Sequence, residues 1–159
     1  MHRSRIDLSG NVREAAIQIL NARLADTLDL NLATKQAHWN VRGPNFIALY
    51  EFFDTLHTTT EGLVDTIAER VTALGGQAYG TSQVTAAKST LEPYPVDAVS
   101  EGDHLEALAD RFAHLGRLAR EAIEEAGRIG DADTQDLFTG MSRELDKQLW
   151  FIESHLHRG

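Results

Sequence analysis

Apolar residues recur along this chain at intervals of three and four, the spacing that lines one face of an α-helix. Ala16, Leu20, Leu24, Leu28 and Leu32 predict a first helix over 10–38. Gly43-Pro44 interrupts the pattern, and Pro44 suits the first turn of a second helix running to Leu74, closed by Gly75-Gly76. Its core face holds Leu49, Phe53, Leu56, Leu63, Ile67, Val71 and Leu74. Residues 75–99 have little periodicity and read as a long crossover with a short helix near 82–88. Ser100, with Asp103 three positions on, predicts the start of a third helix, whose seam is Leu105, Leu108, Phe112, Leu115, Ala119 and Ala122. Gly127 and Gly130 are expected to end it. A fourth helix begins within 131–134 and carries Leu137, Met141, Leu145, Leu149, Ile152 and Leu156. Connections that run short, long, short predict an all-α four-helix bundle over 10–157, after a tail of residues 1–9.

The second helix also carries a polar stripe. Each residue of a helix turns the direction by about 100°. With Tyr50 set at zero, His57 falls at about −20°, Glu61 at about 20°, Asp54 at about 40°, Asp65 at about 60° and Glu69 at about 100°. These side chains share roughly a third of the circumference, away from the core face. Asp54 and Asp65 stand about 16 Å apart along the axis, too far to hold one ion within one chain. Asp65 and Glu69, four residues apart, can share one. An antiparallel copy of the helix, related by a two-fold axis, would bring Asp54 opposite Asp65 and Glu69 of the other chain. The stripe therefore implies either a solvated face or a metal site shared between two chains. Arg70 is the only Lys or Arg between Gly43 and Lys88, so the carboxylates are expected to repel one another until a cation relieves them. A mixed nitrogen and oxygen donor set suits iron(II), with manganese and zinc as competitors. A single Glu-x-x-His, Glu101 to His104, lies in a helix first turn, where acids are favoured by the dipole, and reads as capping chemistry.

Composition narrows the rest. The 159 residues carry a formal charge of −9, which favours cations over nucleic acid as partners of the body of the protein. There is no cysteine, which excludes disulfides and thiolate chemistry. No apolar run approaches membrane-spanning length, and the start of the chain has no apolar signal region, so a cytoplasmic location is expected.

Lys35-Gln-Ala-His38-Trp39-Asn40, Gly43-Pro-Asn-Phe46-Ile-Ala48, Glu51, Asp54, Asp65-Thr-Ile-Ala-Glu69-Arg70 and Leu74-Gly75-Gly76 closely resemble the Dps family, the mini-ferritins of the ferritin-like superfamily. Ser142-Arg-Glu-Leu-Asp146-Lys147 and Leu149-Trp150-Phe151-Ile-Glu153 extend the likeness towards the end of the chain. The resemblance implies a hollow homododecamer that oxidises Fe²⁺, with hydrogen peroxide preferred over oxygen, and stores the ferric product. No haem is implied. It also implies protection of the cell and its DNA from oxidative damage, with possible nucleoid association. Carried over by position, His38 and Asp54 of one subunit face Asp65 and Glu69 of its partner in an inter-subunit ferroxidase centre. Trp39 stands beside it as an electron donor. Asp131, Asp133 and Asp136 fall in the region whose acids line cation pores in that family.

Two departures matter. Where the family usually has a second histidine, this chain has Tyr50, a poor ligand for Fe²⁺ until deprotonated. Tyr50 ligates iron, or hydrogen-bonds a water ligand, or is compensated by His57 or Glu61. The basic tails are also short: Arg3, Arg5 and Arg13 at the start, Arg158 at the end. DNA binding is therefore expected to be weak or absent near neutral pH and to rise when His2, His155 and His157 protonate. The alternative function is a catalytically weak shell that binds nucleoid DNA or stores metal passively.

Overall fold

Hydroxyl and carboxylate caps set where the helices begin. A computed structural model describes residues 1–157, with five helices: α1 Gly10–Asn40, α2 Phe46–Ala73, α3 Ser82–Lys88, α4 Glu101–Ile129 and α5 Ala132–Leu156. Arg158 lies outside the described residues. Ser9, Thr81, Ser100 and Asp131 each accept a backbone N–H of the first turn that follows, satisfying a donor the helix cannot. None of the described helices is long and apolar enough to cross a membrane. The fold is the expected four-helix bundle: α1 packs chiefly on α2 and α4 on α5, while α3 rides on α1 within the crossover.

Phe53, Phe112 and Phe138, with Leu20, Leu24, Leu30, Leu49 and Leu115, fill the centre and are fully buried or nearly so. Every seam residue expected on α4 is buried. On α1 the expectation fails at one end, for Leu32 is 58% exposed and Leu30, Ala33 and Ala37 are buried instead. Repeated steps of four advance about 40° each around a helix, so a stripe written that way walks off the core within a few turns. Gly127 does not end α4 either. The helix continues to Ile129 and stops at Gly130, whose φ of +85° suits only a residue without a Cβ penalty. A Cβ on Gly127 would stand 2.5 Å from Gln135 Nε2, the far end of a flexible side chain of α5.

The crossover is pinned at several points. Asp26 of α1, fully buried, accepts from both the backbone N–H and the hydroxyl of Thr90 at 2.7 and 2.9 Å. Arg111 of α4 donates to the carbonyls of Glu92 and Pro93. Beyond them, the Tyr94 hydroxyl meets Nδ1 of His104 at 2.7 Å. Burial pushes the tyrosine pKa far up, so the phenol stays protonated and donates. His104 has no exposed surface, and burial holds its pKa below the ordinary histidine value, opposed in part by the Asn40 and Ala98 carbonyls and Asp103. The other half of the Glu-x-x-His pair faces elsewhere. Glu101 accepts from the backbone and side-chain nitrogens of Asn45, at 2.5 and 3.1 Å, and so caps the start of α2. The pair is structural, as the reading of its first-turn position implied.

A folded state that prefers neutral His104 binds fewer protons than the unfolded chain. Stability is then full above the unfolded value of about 6.5 and falls as pH drops from there towards the depressed folded value. Urea midpoints measured between pH 7.5 and about 5 are expected to fall in wild type, and less so in His104→Gln. An equal fall in both proteins would remove His104 as the source.

Candidate metal centre

α1 and α2 place His38, Tyr50 and Asp54 together. His38 ends α1 with its side chain turned inward, and its Nδ1–H donates to the backbone carbonyl of Tyr50 at 2.7 Å. That bond puts the ring proton on Nδ1 and leaves the Nε2 lone pair for a metal. The imidazole also stacks on the Tyr50 ring, with centroids 3.9 Å apart and planes 27° from parallel. Tyr50 in turn tilts against Phe46 at 5.6 Å.

Asp54 lies one turn further along α2. Lys35 of α1 donates to its carboxylate at 2.5 Å. That hydrogen bond holds the Asp54 pKa below the ordinary carboxylate value, aided by the charges of Lys35, His38 and His57. The polar stripe therefore does have a basic partner, contrary to the reading of α2 alone. Lys35 comes from the neighbouring helix, one turn before His38, where a search along α2 cannot see it. His57 is half-buried and turned to α1, its Nδ1 3.2 Å from the Asn31 carbonyl and 3.4 Å from the Thr34 hydroxyl. Glu61, Asp65 and Glu69 are exposed along the same uninterrupted helix. Among the described residues, no three His, Asp or Glu of this single chain gather closely enough to hold a metal. One chain thus presents two separate fragments, His38 with Asp54 and Asp65 with Glu69.

Trp39 is 69% exposed beside this region, and Ile47 is 62% exposed on the first turn of α2. The three acids at the start of α5 divide. Asp131 is buried: it caps α5 through Thr134 N, accepts the Thr134 hydroxyl and pairs with Arg70 at 2.8 Å. It is not available to line a pore. Asp133 and Asp136 are exposed. At the N-terminus, the His2 backbone N–H donates to the Gly75 carbonyl at 2.6 Å and Leu8 packs on the core, so the tail lies along the bundle. A Cβ on Gly75, which has φ +88°, would stand 2.6 Å from the His2 carbonyl oxygen.

Comparison with known proteins places these features in a wider group. The Ferritin-like domain profile of the Ferritin family matches residues 17–159. A "DNA protection during starvation protein" of Agrobacterium fabrum is 46% identical over 98% of this chain and 96% of its own length. DpsC of Streptomyces coelicolor superposes with a TM-score of 0.94 at 31% identity, over 99% of this chain and 92% of that one. A Dps protein of Vibrio cholerae, described as a member of a broad superfamily of ferritin-like diiron-carboxylate proteins, superposes with a TM-score of 0.91 at 25% identity, over 99% of this chain and 98% of that one.

Proposed function

Since the chain belongs to the Dps family of ferritin-like proteins, we propose that it binds Fe²⁺ as substrate between two subunits, oxidises it with peroxide in preference to oxygen, and stores the ferric product in a dodecameric shell. The observation that carries this reading is the division of the donors. His38 of α1 meets Asp54 towards one end of α2, and Asp65 and Glu69 lie about 16 and about 22 Å further along that helix from Asp54. Two such helices running antiparallel across a two-fold axis make two equivalent sites, each with one imidazole and three carboxylates. Exposed Trp39 and Ile47 supply apolar surface for that contact.

Within a site, the chain's own groups have distinct roles. His38 presents Nε2, held in that tautomer by the Tyr50 carbonyl. Asp54, kept ionised by Lys35, offers a carboxylate at neutral pH, and an arriving cation competes with the ammonium group for it. Asp65 and Glu69 of the partner subunit close the site and bring negative charge that favours the ferric product. Asp133 and Asp136 remain the exposed candidates for guiding cations inward. The direct test is anaerobic loading of the assembled protein with Fe²⁺, followed by hydrogen peroxide or air, with ferric absorbance recorded. Rapid oxidation by peroxide supports the reading. Oxidation no faster than that of free Fe²⁺ would reduce the protein to a shell.

The docked tail favours a second, narrower statement about DNA. Arg3 and Arg5 are exposed, but the backbone before them is tied to Gly75, and the body is strongly acidic. Phosphate contacts supply most non-specific affinity. At low salt and pH 7.5 a gel-shift assay is expected to show no retarded DNA. Strong retardation at pH 7.5 would mean that the tail releases.

A further inference from the structure

We propose that residues 94–99 form a strap beside the end of α1, latched at neutral pH by His104 and released in acid. The strap is independent of the metal centre. Its release is a local event, distinct from the loss of overall stability described above.

Two anchors that do not titrate near neutral pH bound the strap. Before it, the Arg111 guanidinium donates to the carbonyls of Glu92 and Pro93. After it, the Ser100 hydroxyl caps α4. A turn closed by the Ala98 N–H on the Pro95 carbonyl lies within the strap, so the segment can move as a unit. Few contacts tie it to the bundle. The Tyr94 hydroxyl reaches His104, and the Val99 carbonyl accepts the Arg42 backbone N–H at 2.9 Å. Ala98 is buried, whereas Val96 and Val99 are exposed.

The latch needs a neutral imidazole. Tyr94 donates to Nδ1, which leaves the ring proton on Nε2, and Nε2 is fully buried without a full hydrogen bond. Protonation adds a hydrogen to Nδ1. It then meets the phenol hydrogen across 2.7 Å, and the hydroxyl must turn away. The surroundings do little for the new charge. α1 offers the Asn40 carbonyl, the strap offers the Ala98 carbonyl and the Tyr94 ring, and α2 offers the Phe53 ring at 6.3 Å. On α4, Asp103 is exposed and screened by solvent, and the Arg111 guanidinium, 5.0 Å over the Tyr94 ring, repels a second cation. A buried cation without an ionic partner is costly, and lifting the strap lets water reach it. An opening that admits one proton grows by at most about tenfold per pH unit below the ordinary histidine value of about 6.5. Release also frees the backbone N–H of Arg42, four residues past His38, and so loosens the chain that leaves α1.

The chain has no cysteine, so one introduced thiol reports on one place. Ala98→Cys puts it at the strap's buried residue, and Ala119→Cys puts it in the core on α4. Each assembled protein is mixed with a disulfide reagent, and the rate is normalised to that of the same variant unfolded in urea at the same pH. Between pH 7 and about 5.5 the normalised rate at Ala98→Cys is expected to exceed that at Ala119→Cys and to rise several-fold. Adding His104→Gln, whose amide oxygen accepts from Tyr94 but does not titrate, is expected to leave the rate flat. Asp103→Asn, an exposed change, is expected to move the rise to lower pH, and it decides the test should His104→Gln fail to assemble. A flat rate in Ala98→Cys alone overturns the proposal. Labelling of Ala98→Cys no faster than of Ala119→Cys does so too, since release would then require unfolding of the whole chain. A rise that persists with His104→Gln, or that Asp103→Asn does not move, also overturns it.

Discussion

Replacing Glu69 with alanine is expected to abolish rapid peroxide-driven iron oxidation while leaving the assembled particle unchanged. Glu69 is exposed in the single chain, near the end of α2, so its removal opens no cavity in the core. In the proposed dimer it is one of three carboxylates on the iron, contributed from the far side of the interface. Loss of a group that merely orients a ligand typically costs about 10–100-fold in metal affinity or activity, and loss of a ligand should cost at least the upper end of that range. Asp65→Asn is expected to act in the same direction. Because each centre draws from two chains, a mixed particle gives a stricter check. Subunits carrying His38→Ala combined with subunits carrying Glu69→Ala regenerate some intact centres, since one interface can pair the undamaged halves. Recovery of activity on mixing supports the shared site. Wild-type rates in Glu69→Ala alone would sink the assignment.

Asp131→Ala is expected to cost the protein a large part of its stability. The carboxylate is buried and accepts three hydrogen bonds: from Thr134 N, from the Thr134 hydroxyl and from Arg70. Removing it strands the Arg70 guanidinium, which is only 15% exposed, and leaves the first turn of α5 uncapped. Breaking a buried pair from one side costs about 3–5 kcal/mol, a large part of the roughly 5–15 kcal/mol that a domain has in total. Asparagine caps a helix as well as aspartate does, so Asp131→Asn should lose less, and Arg70→Met, which removes the charge that would be stranded, should also be milder. Urea midpoints at one fixed subunit concentration rank the three, since assembly makes apparent stability depend on concentration. A loss in Asp131→Ala within about 0.5 kcal/mol of zero, as for an exposed surface change, would show that the pair contributes nothing.

The errors in the sequence reading share one origin. Ser100, Gly130 and the start of α3 at Ser82 were legible because capping and helix termination depend on residues within one turn. Leu32 was misplaced because fixed steps of four ignore the drift of a helix, and the buried face depends on which neighbours pack against it. Gly127 looks like a stop signal by itself, yet α4 runs through it to Ile129 and ends only where Gly130 turns left-handed. The acidic stripe looked unpartnered because its cation, Lys35, stands on another helix 19 positions away. Asp131 looked like its neighbours Asp133 and Asp136, yet Arg70, 61 positions earlier, takes it into the interior.

The sequence by itself determined the helices, their order and the single long crossover, for periodicity, capping and helix angle are local and additive, while the resemblance to a family supplied the candidate ligands. Only the tertiary structure decided what those ligands touch. Whether a carboxylate is free, paired or buried, and which ring nitrogen of His38 is left to bind, depends on contacts between helices. Such contacts join residues distant in sequence, and no pattern along one helix encodes them.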